Sequence, residues 1–196
     1  MNEALVRAVL ETLADEMRKT AAIVRLAESG LRQVAEQIKG VPLYPENPDP
    51  LVLVGPGDPN DAGVQPSGQL KRSELMRYAE RQGEGAALLE QMWIVSTYSR
   101  WENHFRHLIA QRAGVNTDQV QSKLFGDLRH RRIDIIHHNA LARREHSGRT
   151  IFLPRTRDGA TVRMTDEDFI LALASISVDI IPAAETAIAD VSGRRP

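Results

Sequence analysis

The 196-residue sequence contains no cysteine. Without a thiol the chain has no disulfide, no thiolate zinc site and no cysteine nucleophile, and this composition is typical of proteins in a reducing compartment. No apolar run approaches the roughly 18 residues of a membrane-spanning helix, and the first residues carry acidic side chains instead of a basic, signal-peptide start. We therefore expect a cytoplasmic protein that is neither secreted nor membrane-spanning.

The net charge of the chain is also close to zero, because 25 basic residues are balanced by 26 acidic ones. Basic side chains are nevertheless concentrated between Lys123 and Arg157, where nine basic residues stand against three acidic ones, a local net charge of +6. A local basic surface can attract polyanions even when the whole chain is neutral. Charge alone leaves two interpretations open, a solvated helix face and a surface that binds nucleic acid.

Four long stretches of the sequence have the apolar spacing of helices. In the first, apolar side chains from Val6 to Ile38 alternate steps of four and three, which predicts a long helix packed lengthwise against its neighbours and ended by Gly40 and Pro42. The second is expected at about 86–112 and is closed by Gly114. The others are expected from Asn116 or Thr117 to Ile136 and from Thr165 to about Pro182, with a shorter helix near 70–78. The sequence predicts an all-α protein, an antiparallel bundle of about four main helices that forms a single domain over 1–196.

Two segments interrupt this helical pattern. Residues 41–69 hold seven of the ten prolines and predict a long loop, in which Leu51–Val54 is the only candidate strand. Residues 149–164 consist of two strand-like runs on either side of Asp158-Gly159, a common turn dipeptide. They predict a small β-hairpin.

A helical wheel for residues 124–139 places charge where apolar side chains are expected. The apolar residues share one arc of this helix (Leu124, Phe125, Leu128, Ile135 and Ile136). Arg132 and Asn139 fall in the middle of that arc. Because a buried arginine is costly unless it is paired, we expect Arg132 to face inward, with Glu102 as its candidate partner. His137 lies about 140° from Arg132 around the helix, so a site that uses both is expected to be shared by two copies of the chain.

The segment Asp127–Ala142, DLRHRRIDIIHHNALA, resembles the signature of HEPN domains, in which an arginine and a histidine are separated by four residues. The matching residues are Arg132, Asp134, Ile135, Ile136 and His137, and His138-Asn139 extend the polar end. Ile133 stands where the family often has asparagine. Upstream, Tyr98–Glu102 and Phe105-Arg106 resemble the aromatic and acidic segment of the preceding helix. The resemblance covers about residues 86–145.

The resemblance implies a metal-independent endoribonuclease without a cofactor, of the kind found in toxin–antitoxin and phage-defence systems. HEPN ribonucleases act as homodimers, and the expected partners are RNA, a second copy of the chain and an antitoxin. In this interpretation His137 is the general acid/base and Arg132 binds the phosphate. Supporting roles fall to four further residues: Asp134, which orients His137 or holds Arg132, and Glu102, His138 and Asn139.

Two other interpretations stay open. His104 and His107 stand three residues apart on one predicted helix, and a third ligand from the helix of His137 could complete a metal site. The second is a non-catalytic helical module, in which the first helix forms a dimer and the basic segment binds a partner or nucleic acid without cutting it.

Overall fold

A computed structural model describes residues 2–55, 66–147 and 149–181 and is mainly helical. Helix α1 spans Glu3–Lys39, as the heptad spacing predicts. The side chain of Asn2 caps it by accepting a hydrogen bond from the backbone N–H of Leu5 at 3.3 Å, and Gly40 ends it. One stripe of the helix faces the core, but it departs from the predicted apolar series, because Ala21, Glu28 and Ala35 are buried while Val34 is 44% exposed. No helix in the described part of the chain is long and apolar enough to cross a lipid bilayer.

The other elements follow in chain order: β1 (Leu51–Val54), β2 (Gly68–Lys71), α2 (Arg72–Ala79), α3 (Glu84–Arg100), a π-helical turn (Trp101–Phe105), α4 (Arg106–Ala113), a 3-10 turn (Thr117–Gln119), β3 (Val120–Gln121), α5 (Lys123–His137), α6 (Arg144–Ser147), α7 (Asp166–Ala174) and β4 (Asp179–Ile180).

Helix α3 lies at the centre of the fold, because it contacts both α1 and α5. Trp93 and Ile94 of α3 are at most 1% exposed. Trp101, just beyond α3, stacks on Phe125 of α5 with ring centroids 4.2 Å apart and ring planes 5° from parallel. Burial of such large aromatic side chains is a main source of stability in a domain of this size. These contacts fix α5, which carries the candidate site, against the core.

The predicted helix at 86–112 forms as α3 and α4 with the wider turn Trp101–Phe105 between them. The turn keeps both Trp101 and Phe105 in the core, at 3% and 1% exposure. Gly114 ends α4 at φ +70°, a left-handed conformation that glycine adopts without strain. The expected stop at this glycine is confirmed.

Two predicted helices are shorter than the apolar spacing suggested. Asn116 caps only a 3-10 turn, after which β3 intervenes before α5 begins at Lys123. The last helix does start with Thr165 as its cap, but it ends at Ala174 because β4 pairs antiparallel with β3. Apolar Ile176, Val178 and Ile180 alternate with polar residues, which is the period of a strand. The expected end near Pro182 lies outside the described residues.

The first of the two segments that interrupt the helical pattern contains the predicted strand. In the proline-rich segment 41–69, Leu51–Val54 pairs antiparallel with Gly68–Lys71, so the candidate strand is confirmed, and 56–65 lie outside the described residues.

The β-hairpin predicted at 149–164 does not form, so this prediction is wrong. The Asp158-Gly159 turn forms, with Gly159 at φ +73°, but Thr161 pairs with Leu141 instead of with the other run. The first run is held by the carboxylate of Asp127, which accepts the backbone N–H groups that a hairpin would use.

Candidate functional site

Arg131, not Arg132, is the buried arginine of α5. Its side chain is 4% exposed, and its guanidinium donates to Asp168 Oδ2 at 3.2 Å. It also donates to the backbone carbonyls of Arg163 at 2.7 Å and Pro154 at 2.9 Å. A buried arginine needs this density of acceptors, because an unpaired charge in the interior is very costly. Arg131 thereby ties α5 to the start of α7 and to the segment between them.

Asp127 lies one turn before Arg131 and is 2% exposed. Its carboxylate accepts three backbone N–H groups, from Ile151 at 2.9 Å, Phe152 at 2.7 Å and Leu153 at 2.6 Å. Hydrogen bonds to an ionised acceptor are about twice as strong as neutral ones. This contact shapes the irregular segment that follows α6, so Asp127 has a structural role.

Asp134 is the third buried charge of α5. Its carbonyl and carboxylate accept hydrogen bonds from the segment in which the chain reverses direction after the helix. His138 and Ala140 both donate their backbone N–H groups to the carbonyl of Asp134, at 3.0 and 3.1 Å. Asn139 and Ala140 adopt positive φ values of 52° and 60°, which turns the chain back toward the helix. The carboxylate then accepts the N–H of Arg143 at 3.2 Å and lies 2.5 Å from Nδ1 of His146.

These three charges explain why the helical wheel was misleading. Asp127, Arg131 and Asp134 are spaced by four and three residues, so they form one buried stripe beside Leu124 and Leu128. The wheel centred the buried face on apolar residues alone and thus rotated it toward Arg132. The four- and three-residue spacing places the three charges on one face, and each finds its partner outside the helix: Asp168 for Arg131, backbone N–H groups for Asp127 and His146 for Asp134.

Arg132 lies at the edge of the core and is partly exposed. Its guanidinium carbon is 5.6 Å from the centroid of the Tyr98 ring, within cation–π range. Among the described residues it has no ion pair, and its Nε has no hydrogen-bond acceptor. The expected inward orientation with Glu102 as partner is therefore wrong. Glu102 instead accepts from the hydroxyl of Tyr98 at 3.3 Å and from Arg106 at 3.1 Å.

His137, the last residue of α5, is exposed and makes no side-chain hydrogen bond or ion pair with any residue that the structure describes. Asp134 does not orient it, since that carboxylate is committed to Arg143 and His146. Asn139 is exposed in the reversing turn, and His138 is partly buried with its ring centroid 6.0 Å from that of His146. The structure thus separates the predicted residues into Arg132 over Tyr98, His137 alone, and an Asp134–His138–His146 cluster.

Burial changes the acid–base behaviour of two neighbouring groups. It raises the pKa of the Tyr98 phenol, and the adjacent Glu102 carboxylate raises it further. Burial also lowers the pKa of His130, assisted by the nearby His146 and Arg129. Tyr98 therefore presents a neutral ring to Arg132, and His130 is held in its neutral form.

Most of the basic segment is at the surface. Of its nine basic residues only Arg131 is buried and only Arg132 is partly buried. The exposed ones are Lys123, Arg129, Arg143, Arg144, Arg149, Arg155 and Arg157.

Comparison with known proteins adds no relative: no protein-family model, no curated protein and no solved structure matches this chain.

Proposed function

We propose that the protein is a metal-independent endoribonuclease of HEPN type in which Arg132 and His137 act on a phosphodiester of RNA. One observation carries the proposal. Arg131 and Asp134 are buried and paired within the fold, with Asp168 and with His146, whereas Arg132 is partly exposed, His137 is exposed, and neither has an ionic partner among the described residues. Side chains that the fold does not use are available for a substrate.

The two side chains suit cleavage of RNA because the substrate carries its own nucleophile. A base removes the proton of the 2′-hydroxyl, the resulting oxygen attacks phosphorus, and the 5′-oxygen leaves with a proton. The products are a 2′,3′-cyclic phosphate and a 5′-hydroxyl, with no water consumed. A histidine can transfer these protons near neutral pH. The planar guanidinium of Arg132 can bind the phosphate oxygens and the charge that builds on them.

Tyr98 and Glu102 support this role through Arg132. The Tyr98 ring lies under the guanidinium, and its hydroxyl is held by Glu102. The ring restricts where the guanidinium can lie without neutralising it, as a carboxylate would. Arg132 thus remains available to an anion. Asn139, exposed in the turn beyond His137, is assigned to the backbone of the substrate, whereas His138 lies with Asp134 and His146.

The proposal places the active site between two copies of the chain. Arg132 and His137 leave α5 on different faces, so a second α5 is needed to bring a histidine beside the arginine. Ile136 and Leu141, which flank this end of the helix, are 46% and 44% exposed and could be covered in such a dimer. We also propose that α1, α3, α4 and α5 form an antiparallel bundle. The proposed role is that of a cytoplasmic toxin or phage-defence effector, which an antitoxin restrains.

A non-catalytic dimerisation or nucleic-acid-binding module is the second candidate. It is favoured by the exposed apolar residues of α1, where Ile23 and Leu26 are 63% and 72% exposed, together with the exposed basic segment. This candidate predicts RNA binding without cleavage. The two candidates therefore differ in their products and can be separated by one assay.

The experiment measures cleavage of single-stranded RNA by the parent protein and by Arg132→Ala and His137→Ala, in excess EDTA. Loss of a general acid/base or of a phosphate ligand is expected to slow cleavage by about 100-fold or more. Arg129→Ala and His104→Ala are matched controls, since they remove an exposed arginine and an exposed histidine outside the proposed site. They should cleave like the parent. Products ending in 2′,3′-cyclic phosphate are expected, and a folded parent that binds RNA without cutting it would favour the second candidate.

A further inference from the structure

A cluster of metal-ligating side chains lies where the chain folds back on the end of α5. Asp134, His138 and His146 each offer one donor atom, and these atoms lie within 4.8 Å of one another. Asp134 is 3% exposed, and the two histidines are partly buried. His130 joins the cluster, because its ring stacks on that of His146 with centroids 5.3 Å apart.

His130 supplies an independent observation. Its Nδ1 is buried and has no hydrogen-bond partner among the residues that the structure describes. A buried polar atom without a partner is costly and calls for a missing ligand or ion. His130 also lines the same small cavity as Asp134 and His146. His130 thus borders the cluster, beside the three residues whose donor atoms lie closest together.

The backbone holds the cluster together before any ligand binds. The reversal at Asn139-Ala140 places Arg143 and His146 over Asp134, and the N–H of Arg143 fixes one carboxylate oxygen at 3.2 Å. The other oxygen accepts from Nδ1 of His146 at 2.5 Å. Ligands that are already oriented lose little freedom on binding, which favours affinity.

We propose that Asp134, His138 and His146 bind a Zn²⁺ ion, with His130 or a water as the fourth ligand. Imidazole nitrogens with one carboxylate form a donor set that Zn²⁺ accepts in tetrahedral geometry. The cluster has one carboxylate and two imidazoles and therefore lacks the several oxygen ligands on which Ca²⁺ and Mg²⁺ depend. The cationic Arg131 in the same cavity is already neutralised by Asp168.

Zinc binding requires one local rearrangement. The 2.5 Å hydrogen bond between Asp134 and His146 must open, since two ligands of a tetrahedral zinc with bonds of about 2.0–2.2 Å are roughly 3.3 Å apart. His146 belongs to the four-residue helix α6, which can shift by this amount more easily than α5. The bound ion would tie α6 to the end of α5, next to His137. The inference does not rest on RNA cleavage, and it uses neither His104 nor His107.

The test is a calorimetric titration of the metal-free full-length protein with ZnCl2, accompanied by thermal unfolding and by the absorption spectrum with Co²⁺. We expect one Zn²⁺ per chain, a rise in Tm on zinc binding, and the visible bands of tetrahedral Co²⁺. His138→Ala and His146→Ala should each weaken zinc binding by more than about tenfold, since even changes behind the ligands have effects of that size. His104→Ala changes an exposed histidine of the turn between α3 and α4, outside the cluster, and should bind zinc like the parent.

His138→Ala is the decisive variant, because its side chain is only partly buried and its far-ultraviolet spectrum should match that of the parent. Binding of less than one Zn²⁺ by the parent, or unchanged binding by both folded variants, would overturn the zinc site. Loss of binding in His104→Ala would also overturn it, by placing the metal on the other pair of histidines. Excess EDTA should lower Tm yet leave RNA cleavage intact at temperatures where the protein is folded, so this site and the proposed function can fail separately.

Discussion

Arg131 and Arg132 are adjacent on α5, yet Arg131 is 4% exposed and ion-paired with Asp168 at 3.2 Å, whereas Arg132 lies over the ring of Tyr98 without a carboxylate among the described residues. The two arginines divide the work of the motif. Arg131 holds α5 to α7 through its ion pair with Asp168. Arg132 is partly exposed, and its charge remains available to a ligand.

This division predicts opposite effects of two neighbouring substitutions on stability. Arg131→Ala leaves Asp168 and two backbone carbonyls without their donor, and it should lower the free energy of unfolding by about 3–5 kcal/mol. Arg132→Ala removes a partly exposed side chain and one cation–π contact, for an expected loss of about 1 kcal/mol or less. Urea denaturation followed by circular dichroism measures both. Equal losses in the two variants would contradict the assignment of Arg131 to the core and Arg132 to the site.

Asp127→Asn tests the structural role of the other buried acid. An amide has one acceptor oxygen where the carboxylate has two, and its NH2 group faces backbone N–H groups that also donate. The expected loss is about 2–4 kcal/mol in the free energy of unfolding, with faster amide exchange at residues 151–153. Asp118→Asn, an exposed acid in the 3-10 turn, is the matched control and should change stability by no more than about 0.5 kcal/mol. Unchanged exchange at 151–153 would refute the contact.

The phenol of Tyr98 should ionise at a pH above its ordinary value of 10.0, because burial and the Glu102 carboxylate both raise its pKa. The unfolded chain then loses this proton first as the pH rises. The stability linked to Tyr98 is present below pH 10 and is lost as the pH rises toward the folded pKa. Subtracting the 295 nm titration of Tyr98→Phe from that of the parent isolates this group. Glu102→Gln should shift its titration to lower pH, and a shift to higher pH would contradict the stated cause.

Helix lengths and helix ends were predicted from the sequence better than the pairing of strands that lie far apart in the chain. The length of α1, the glycine after α4 and the Thr165 cap depend on residues close together in the sequence, and all three are confirmed. Pairing of β3 with β4 joins Val120 to Ile180, sixty residues apart, and the alternation that indicates a strand at Ile180 does not identify Val120 as its partner.

The same limit applies to the candidate site. Arg132 and His137 were identified by their four-residue separation, which is local. The orientation of Arg132 was wrong because it depended on which residues of α5 are buried, and half of that buried face is charged (Asp127, Arg131 and Asp134). Their partners come from residues 143–168, whose irregular path cannot be derived from periodicity. His146, the partner of Asp134, could not be found from the motif because it lies beyond a turn of two non-glycine residues with positive φ.

The central claim is that Arg132 of one copy and His137 of another cleave RNA together, and mixing two inactive variants tests it most directly. Arg132→Ala and His137→Ala should each be inactive alone, while a refolded equimolar mixture should recover up to about a quarter of the parent rate, since half of the dimers are mixed and each of these has one intact site of two. The measurement is the initial rate of RNA cleavage per mole of protein. Activity of either variant alone at the parent rate, or a mixture as inactive as its components, would contradict the claim.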